Sequence, residues 1–319
     1  MSGHETLFGI PILTDSHPEL ETIDTEVLEW AVARGLVSGD TQLHRLHRAA
    51  FGRLAARTLP GAQHTDVVLL AKWAAWLFHL DDLQDHGPIG RDRDLLATTY
   101  AGLLAVVDRH MPATSASDTS PVTLALADLW SSTSFRMSPD WHSRFTAHMR
   151  DHRDGFFRQL RDRCTDRVPT LTEYPAYRRA LNGAFMLDLF EPLHHTEVPE
   201  TLQQSWTAFC DATNDVSAWC NDLLSLDREN ASGDTANFVT VCQHALELTI
   251  DEARIDVQHR IGERHADQQT ARQRFVIGIE RTPNLADITR HRLQQIADTL
   301  DRVPGSHLAW ARESGRYLS

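Results

Sequence analysis

Three carboxylates stand together at the end of an apolar run: Asp81, Asp82 and Asp85 follow VVLLAKWAAWLFHL at 67–80. On a helix, Asp81 and Asp85 lie one turn apart on one face, with Asp82 beside them. Such a group repels itself at neutral pH unless cations sit among its oxygens. Hard divalent ions such as Mg²⁺ take oxygen ligands and keep positions open for water and substrate phosphates. Three acids near a helix end are more often a solvated face, so the rest of the chain has to decide. Leu77 and Phe78 lie one turn earlier, which places an apolar wall below the acids.

A second polar pattern lies in DATNDVSAWCNDLLSLDRE, residues 211–229. Asn221, Ser225 and Glu229 recur at four-residue steps, on one helix face and roughly 6 Å apart along the axis. An amide oxygen, a hydroxyl and a carboxylate make a hard-oxygen set for one Mg²⁺. Asn and Ser favour caps over helix interiors, so their place here needs a reason. Asn214 and Asp215 do not continue the pattern, because Ala218 follows Asn214 by four. A third stretch, PAYRRALNGAFMLDLFE at 175–191, is helical at both ends with Asn182-Gly183 in its middle. Gly inside a helix costs about 1 kcal/mol against Ala. The pair is an ordinary helix boundary or a break that exposes backbone carbonyls to a pocket. Arg179 precedes Gly183 by four, about one turn from the break.

The elements that must position these residues are helical. Glu21 to about Thr58 carries helical periodicity, interrupted at Gly39-Asp40. After the Pro60-Gly61 turn comes the helix of Val67–Asp85, stopped by Gly87-Pro88. Helices follow at 94–110, 124–135 and 140–163, with a small-polar loop at 111–121. The stretch from Asn237 to about Thr299 is again helical. Residues 1–20 read as an irregular leader, and no run alternates with period two. The pattern predicts an all-α fold and, without a linker or composition shift, a single domain over 1–319.

The net charge of −13 argues against nucleic acid or an anionic membrane surface as partner. Cys164, Cys210, Cys220 and Cys242 show no metal spacing or disulfide framework, which suits a reducing, cytoplasmic location. No signal peptide is legible, and no apolar run is long enough to span a bilayer.

Together these motifs resemble those of the bacterial class I terpene synthases. Asp81-Asp82-Leu83-Gln84-Asp85 is similar to the family's aspartate-rich motif. Asn221-Asp222-Leu223-Leu224-Ser225-Leu226-Asp227-Arg228-Glu229 is similar to its second metal motif, with Arg228 in place of the usual Lys. Arg316-Tyr317 resembles the C-terminal pair, and Trp310 falls where the family has a pocket Trp. Arg179, Asn182 and Gly183 look like the diphosphate sensor, linker and helix-break effector. Arg179 lies 42 residues before Asn221, somewhat closer than is usual, and Arg178 is the alternative sensor. The order and spacing of the motifs agree over nearly the full length.

The resemblance implies a helical barrel around a deep apolar cavity, with the metal motifs on opposing helices at its mouth. It implies three Mg²⁺ ions, with Mn²⁺ as a substitute. Asp81 would bridge two ions, supported by Asp82 and Asp85, while Asn221, Ser225 and Glu229 hold the third. Arg179, Arg228, Arg316 and Tyr317 would donate to the diphosphate, and Phe78 and Trp310 would line the cavity. The implied reaction is cyclisation of farnesyl diphosphate to a sesquiterpene. A diterpene cyclase using geranylgeranyl diphosphate differs mainly in cavity depth. A chain-elongating prenyltransferase resembles a pattern with two aspartate-rich motifs, and no second one is seen here. A catalytically silent helical protein is the remaining reading, and a homodimer is compatible with all of them. Arg316 and Tyr317, so near the chain end, are expected to be mobile without ligand.

Overall fold

A computed structural model describes residues 5–85, 87–109, 120–232 and 234–316. The loop expected at 111–121 falls largely outside them. The chain packs as two compact units. Thr14–Arg150 with Ala309–Ser319 form the N-unit; Met1–Leu13 with Asp151–Leu308 form the C-unit.

The N-unit holds helices α1 (Leu20–Ala33), α2 (Gly39–Ala49), α3 (Phe51–Thr58), α4 (His64–Asp85), α5 (Arg93–Arg109), α6 (Pro121–Ser134) and the start of α7 (Pro139–Cys164). Helix α4 is apolar around most of its girth, so it needs neighbours on several sides. It packs against α1, α3 and α6. Trp73 and Trp76 are fully buried, and their indole N–H groups donate to Thr133 Oγ1 and the Val122 carbonyl, both at 2.9 Å. Trp130, Trp141 and Phe145 complete this aromatic core.

The expected continuous helix through 43–54 is interrupted. Ala50 adopts a left-handed conformation, with φ of 51°, and separates α2 from α3. A non-glycine residue there is disfavoured, and alanine gives no sequence signal for such a break.

The C-unit holds the rest of α7, then α8 (Tyr174–Leu181), α9 (Phe185–Asp188), α10 (Phe190–Leu193), α11 (Gln203–Ser232), α12 (Phe238–Leu246), α13 (Ile250–Arg281) and most of α14 (Asp287–Glu313). Helix α11 lies against α13, α8 and α12. A capping box at Thr249 and Glu252 starts α13. The leader is more ordered than its sequence suggests. Thr6–Leu7 (β1) pairs antiparallel with Ile10–Pro11 (β2) across Phe8-Gly9, both at positive φ as a tight hairpin turn requires. This hairpin passes close over α14: a Cβ on Gly305 would lie 2.5 Å from the Pro11 carbonyl oxygen. Among the described residues, no helix is long and apolar enough to cross a membrane. All four cysteines are free thiols.

Candidate active site

In the N-unit, Asp81, Asp82 and Asp85 occupy the last turn of α4. Arg316 reaches them from the residue pair after Ser314. Its Nη2 donates to Asp81 Oδ2 at 3.2 Å and its Nη1 to Asp82 Oδ2 at 3.0 Å. The same guanidinium lies 4.6 Å from the centroid of the Phe78 ring. Phe78 in turn stacks on Phe51, and both rings meet Trp310. Three contacts to the α2 terminus hold this end of the chain. Trp310 Nε1 and Ser314 Oγ donate to the Ala49 carbonyl at 2.6 and 3.2 Å, and Gly315 N donates to the Arg48 carbonyl at 2.8 Å.

Two carboxylates, an aromatic face and a fixed backbone thus surround Arg316 in spite of its nearness to the terminus. Tyr317 lies outside the described residues. Phe78 is half-buried and Trp310 fully buried.

In the C-unit, Asn221, Ser225 and Glu229 share one face of α11. The Ser225 hydroxyl donates to Glu229 Oε1 at 2.6 Å and lies 3.5 Å from Asn221 Oδ1. Neighbouring oxygens around a six-coordinate Mg²⁺ with 2.0–2.1 Å bonds are about 2.9 Å apart. The two observed separations bracket that value, and all three donors are hard oxygens, so the set fits the ion. Asn237 Nδ2 donates to Glu229 Oε2 at 2.8 Å. Burial, with the Asp222 charge adding to it, pushes the Glu229 carboxyl up to about 7. A cation among these oxygens would hold it ionised. Arg228 sits half-buried on the same helix.

The arginine that meets this cluster is Arg178, not Arg179. Arg178 Nη2 donates to Asn221 Oδ1 at 3.0 Å, and its Nε to Asp222 Oδ1 at 2.8 Å. Asp222 is fully buried, and its other oxygen accepts from the Tyr174 hydroxyl at 2.5 Å and the Phe238 N–H at 3.2 Å. Arg179 projects elsewhere on α8 and bonds Asp215 Oδ2 at 2.8 Å, an oxygen it shares with Arg264. Adjacent residues on a helix differ by about 100°, so an Arg-Arg pair can serve two different acids. Tyr174, Asp222 and Asn237 were not singled out in the sequence; the Asn-Asp dipeptide was the available signal.

The helix break exists. Helix α8 ends at Leu181, and Gly183 has φ of 72°, a conformation that favours glycine. Asn182 Nδ2 donates to Asn214 Oδ1 at 2.9 Å, so Asn214 is a buried partner of the break rather than a bystander. The Gly183 carbonyl accepts from Met186 N–H at 2.9 Å.

The buried His152 ring bonds the Leu181 backbone, and burial lowers its pKa to about 3. Its unfolded-state value is near 6.5, so the unfolded chain takes up a proton that the folded one refuses. The stability this supplies is present above pH 6.5 and is lost as pH falls toward 3. His152→Gln should therefore flatten the pH dependence of the urea midpoint between pH 6.5 and 4, by about 1.4 kcal/mol per pH unit. An unchanged slope would mean that the ring is protonated in the fold.

A family model described as "Terpene synthase family 2, C-terminal metal binding" matches residues 72–267. The chain belongs to the terpene synthase family. The matched span contains both polar clusters of this terpene synthase. Its relatives include the (-)-delta-cadinene synthase of Streptomyces clavuligerus, 31% identical over 311 residues, 96% of this chain and 93% of that protein. The (+)-T-muurolol synthase of Roseiflexus castenholzii, described as cyclising (2E,6E)-farnesyl diphosphate, is 31% identical over 74% of this chain and 72% of its own. The crystal structure of germacradien-4-ol synthase from Streptomyces citricolor superposes with a TM-score of 0.80 at 22% identity, over 96% of this chain and 98% of that one. That likeness shows that this terpene synthase has the all-α class I fold.

Proposed function

We propose that the protein ionises (2E,6E)-farnesyl diphosphate and cyclises the resulting carbocation to a sesquiterpene, releasing diphosphate. The observation that carries this reading is that each hard-oxygen cluster already holds a guanidinium: Arg316 on Asp81 and Asp82, Arg178 on Asn221. Both clusters thus join oxygens that attract cations to donors that suit a diphosphate. The muurolol synthase relative, which cyclises (2E,6E)-farnesyl diphosphate, supports that substrate here.

In this reading Asp81, Asp82 and Asp85 would hold two Mg²⁺ ions, and Asn221, Ser225 and Glu229 would hold a third. The ions supply Lewis-acid stabilisation of the leaving diphosphate. When the allylic C–O bond breaks, both its electrons go to the diphosphate oxygen. Arg316, with Arg228 and Tyr317, donates to the oxygens on which that charge accumulates. Arg178, which donates to Asn221 Oδ1 at 3.0 Å, would keep that amide oxygen within the cluster. Phe78, half-buried, would offer an aromatic face to the hydrocarbon cation, with the fully buried Trp310 packed behind it. Exclusion of water keeps the cation from being quenched.

The test is incubation with geranyl, farnesyl and geranylgeranyl diphosphates and Mg²⁺, with products read by gas chromatography–mass spectrometry. A cyclised C15 hydrocarbon or alcohol from farnesyl diphosphate is the expected result. A cyclised product from geranylgeranyl diphosphate alone would reassign the substrate. A longer diphosphate, formed only with added isopentenyl diphosphate, would make the protein a prenyltransferase.

Asn221→Ala and Ser225→Ala should each raise the half-saturating Mg²⁺ concentration by about tenfold, the effect of losing about 1.4 kcal/mol of ligation. Asn214→Ala should instead lower stability without a matching shift, because Asn214 bonds Asn182. Equal Mg²⁺ requirements in the wild type and the Asn221 and Ser225 variants would reject the assignment.

Arg316→Ala should lower the metal-free melting temperature slightly, since partly exposed ion pairs contribute about 0.2–1 kcal/mol and the Phe78 contact about as much again. The same change should cut turnover at least tenfold, a loss of about 1.4 kcal/mol or more of transition-state stabilisation. Turnover at the wild-type rate would leave Arg316 a purely structural residue.

A further inference from the structure

Away from both clusters, at the other end of α4, the fold brings His17, Glu19, Glu26 and His64 together in the N-unit. His17 precedes α1, and its backbone N–H donates to the Ala56 carbonyl at 3.0 Å, which fixes where the residue sits. The residue is buried, at 6% exposure, and its Nδ1 accepts from the Glu19 N–H at 3.2 Å, which leaves Nε2 as its ligating atom. His64 opens α4. The two rings lie 6.2 Å apart, centroid to centroid. His64 Nδ1 is 3.1 Å from Glu19 Oε2, and His64 Nε2 is 2.7 Å from Glu26 Oε1. One ligating atom from each of His17, Glu19 and His64 lies within 4.8 Å of the other two.

We propose that His17, Glu19 and His64 form a separate, structural metal site for a borderline divalent ion such as Zn²⁺, clamping the segment ahead of α1 onto the first turn of α4. Two imidazoles and a carboxylate suit Zn²⁺, Co²⁺ or Ni²⁺, whereas Mg²⁺ favours oxygen alone. Ligands at 2.0–2.1 Å in a tetrahedron are about 3.4 Å apart, so the cluster closes by roughly 1 Å on binding. Glu19 is mostly exposed, so its carboxylate has room to make that movement. Glu26 already stands behind His64. A ligating imidazole commonly donates its other N–H to a carboxylate, which orients the ring and raises its basicity. His64 and Asp81 are 17 residues apart on α4, about 25 Å along its axis, so the two metal sites are chemically and spatially distinct.

The test uses full-length protein stripped with chelator and titrated calorimetrically with Zn²⁺ in millimolar Mg²⁺, alongside visible absorption of the Co²⁺ complex. One Zn²⁺ per chain is expected in the Mg²⁺-blocked protein, with the intense Co²⁺ bands of a four-coordinate site. His64→Gln and Glu19→Gln should each weaken this binding at least tenfold, while Asp81→Asn leaves it unchanged. Melting curves in chelator establish that each variant is folded. Should His64→Gln fail there, Glu19→Gln, at a mostly exposed side chain, carries the comparison. Unchanged Zn²⁺ affinity in Glu19→Gln would overturn the proposal, as would loss of binding in Asp81→Asn. Either result would leave His17, Glu19 and His64 an ordinary ion cluster.

Discussion

Asp81→Ala is expected to lose turnover by on the order of 10³-fold or more, about 4 kcal/mol of transition-state stabilisation, while the protein stays folded. The side chain is 35% exposed at the end of α4, so truncation opens no cavity in the core. Arg316 loses one of its two carboxylates and keeps Asp82. What is removed is a carboxylate that would hold metal ions beside the leaving group. Asp82 is more exposed, at 49%, and Asp82→Ala should cost less. Diphosphate release at saturating Mg²⁺ and melting curves in chelator measure the two sides. Near-normal turnover in Asp81→Ala would sink the metal assignment; an unfolded protein would show that the acid motif is part of the core.

The second large effect separates the paired arginines. Arg178→Ala should destabilise the metal-free protein by about 3–5 kcal/mol, because it strips the counter-charge from a fully buried carboxylate, Asp222. Tyr174 and the Phe238 N–H still hold one Asp222 oxygen, so the loss falls on the other. Asn221 loses its donor in the same change, and turnover should drop with it even where the variant remains folded. Arg178→Lys should not rescue turnover. The native residue uses Nε for Asp222 and Nη2 for Asn221, and a single ammonium cannot span both. Arg179→Ala should be much milder, since Asp215 keeps Arg264. Urea midpoints in chelator, with turnover at a temperature where all variants are folded, decide the order. If Arg179→Ala proves the more damaging on both measures, the assignment of roles within the pair is reversed.

The helical class and the two polar faces were legible because they rest on periodicity. Asn221, Ser225 and Glu229 need only a helix to come together, and Asn182-Gly183 announces its own break. The choice between Arg178 and Arg179 was not legible. Their separation is an angle about the α8 axis, and the acids that select them, Asp222 and Asp215, lie on another helix. The contacts of Arg316 were hidden for a similar reason. Nothing local holds the tail; its anchors are Ala49, Phe78 and the acids of α4, more than 230 residues earlier. The α2–α3 break was invisible because it falls on alanine.

That alanine break has an evolutionary corollary. By ending α2, Ala50 leaves the Ala49 and Arg48 carbonyls facing the indole of Trp310, the hydroxyl of Ser314 and the amide of Gly315. The tail is thus registered on main-chain atoms, which every residue possesses. The solvent-facing side chains at 45 and 47 can drift through generations without shifting Arg316, and glycine or asparagine at position 50 would relieve its left-handed conformation. Insertion or deletion of a single residue there is another matter. It would turn those carbonyls away and move the guanidinium off Asp81 and Asp82, so lineages that keep this arrangement should vary here in residue type and hold the length constant.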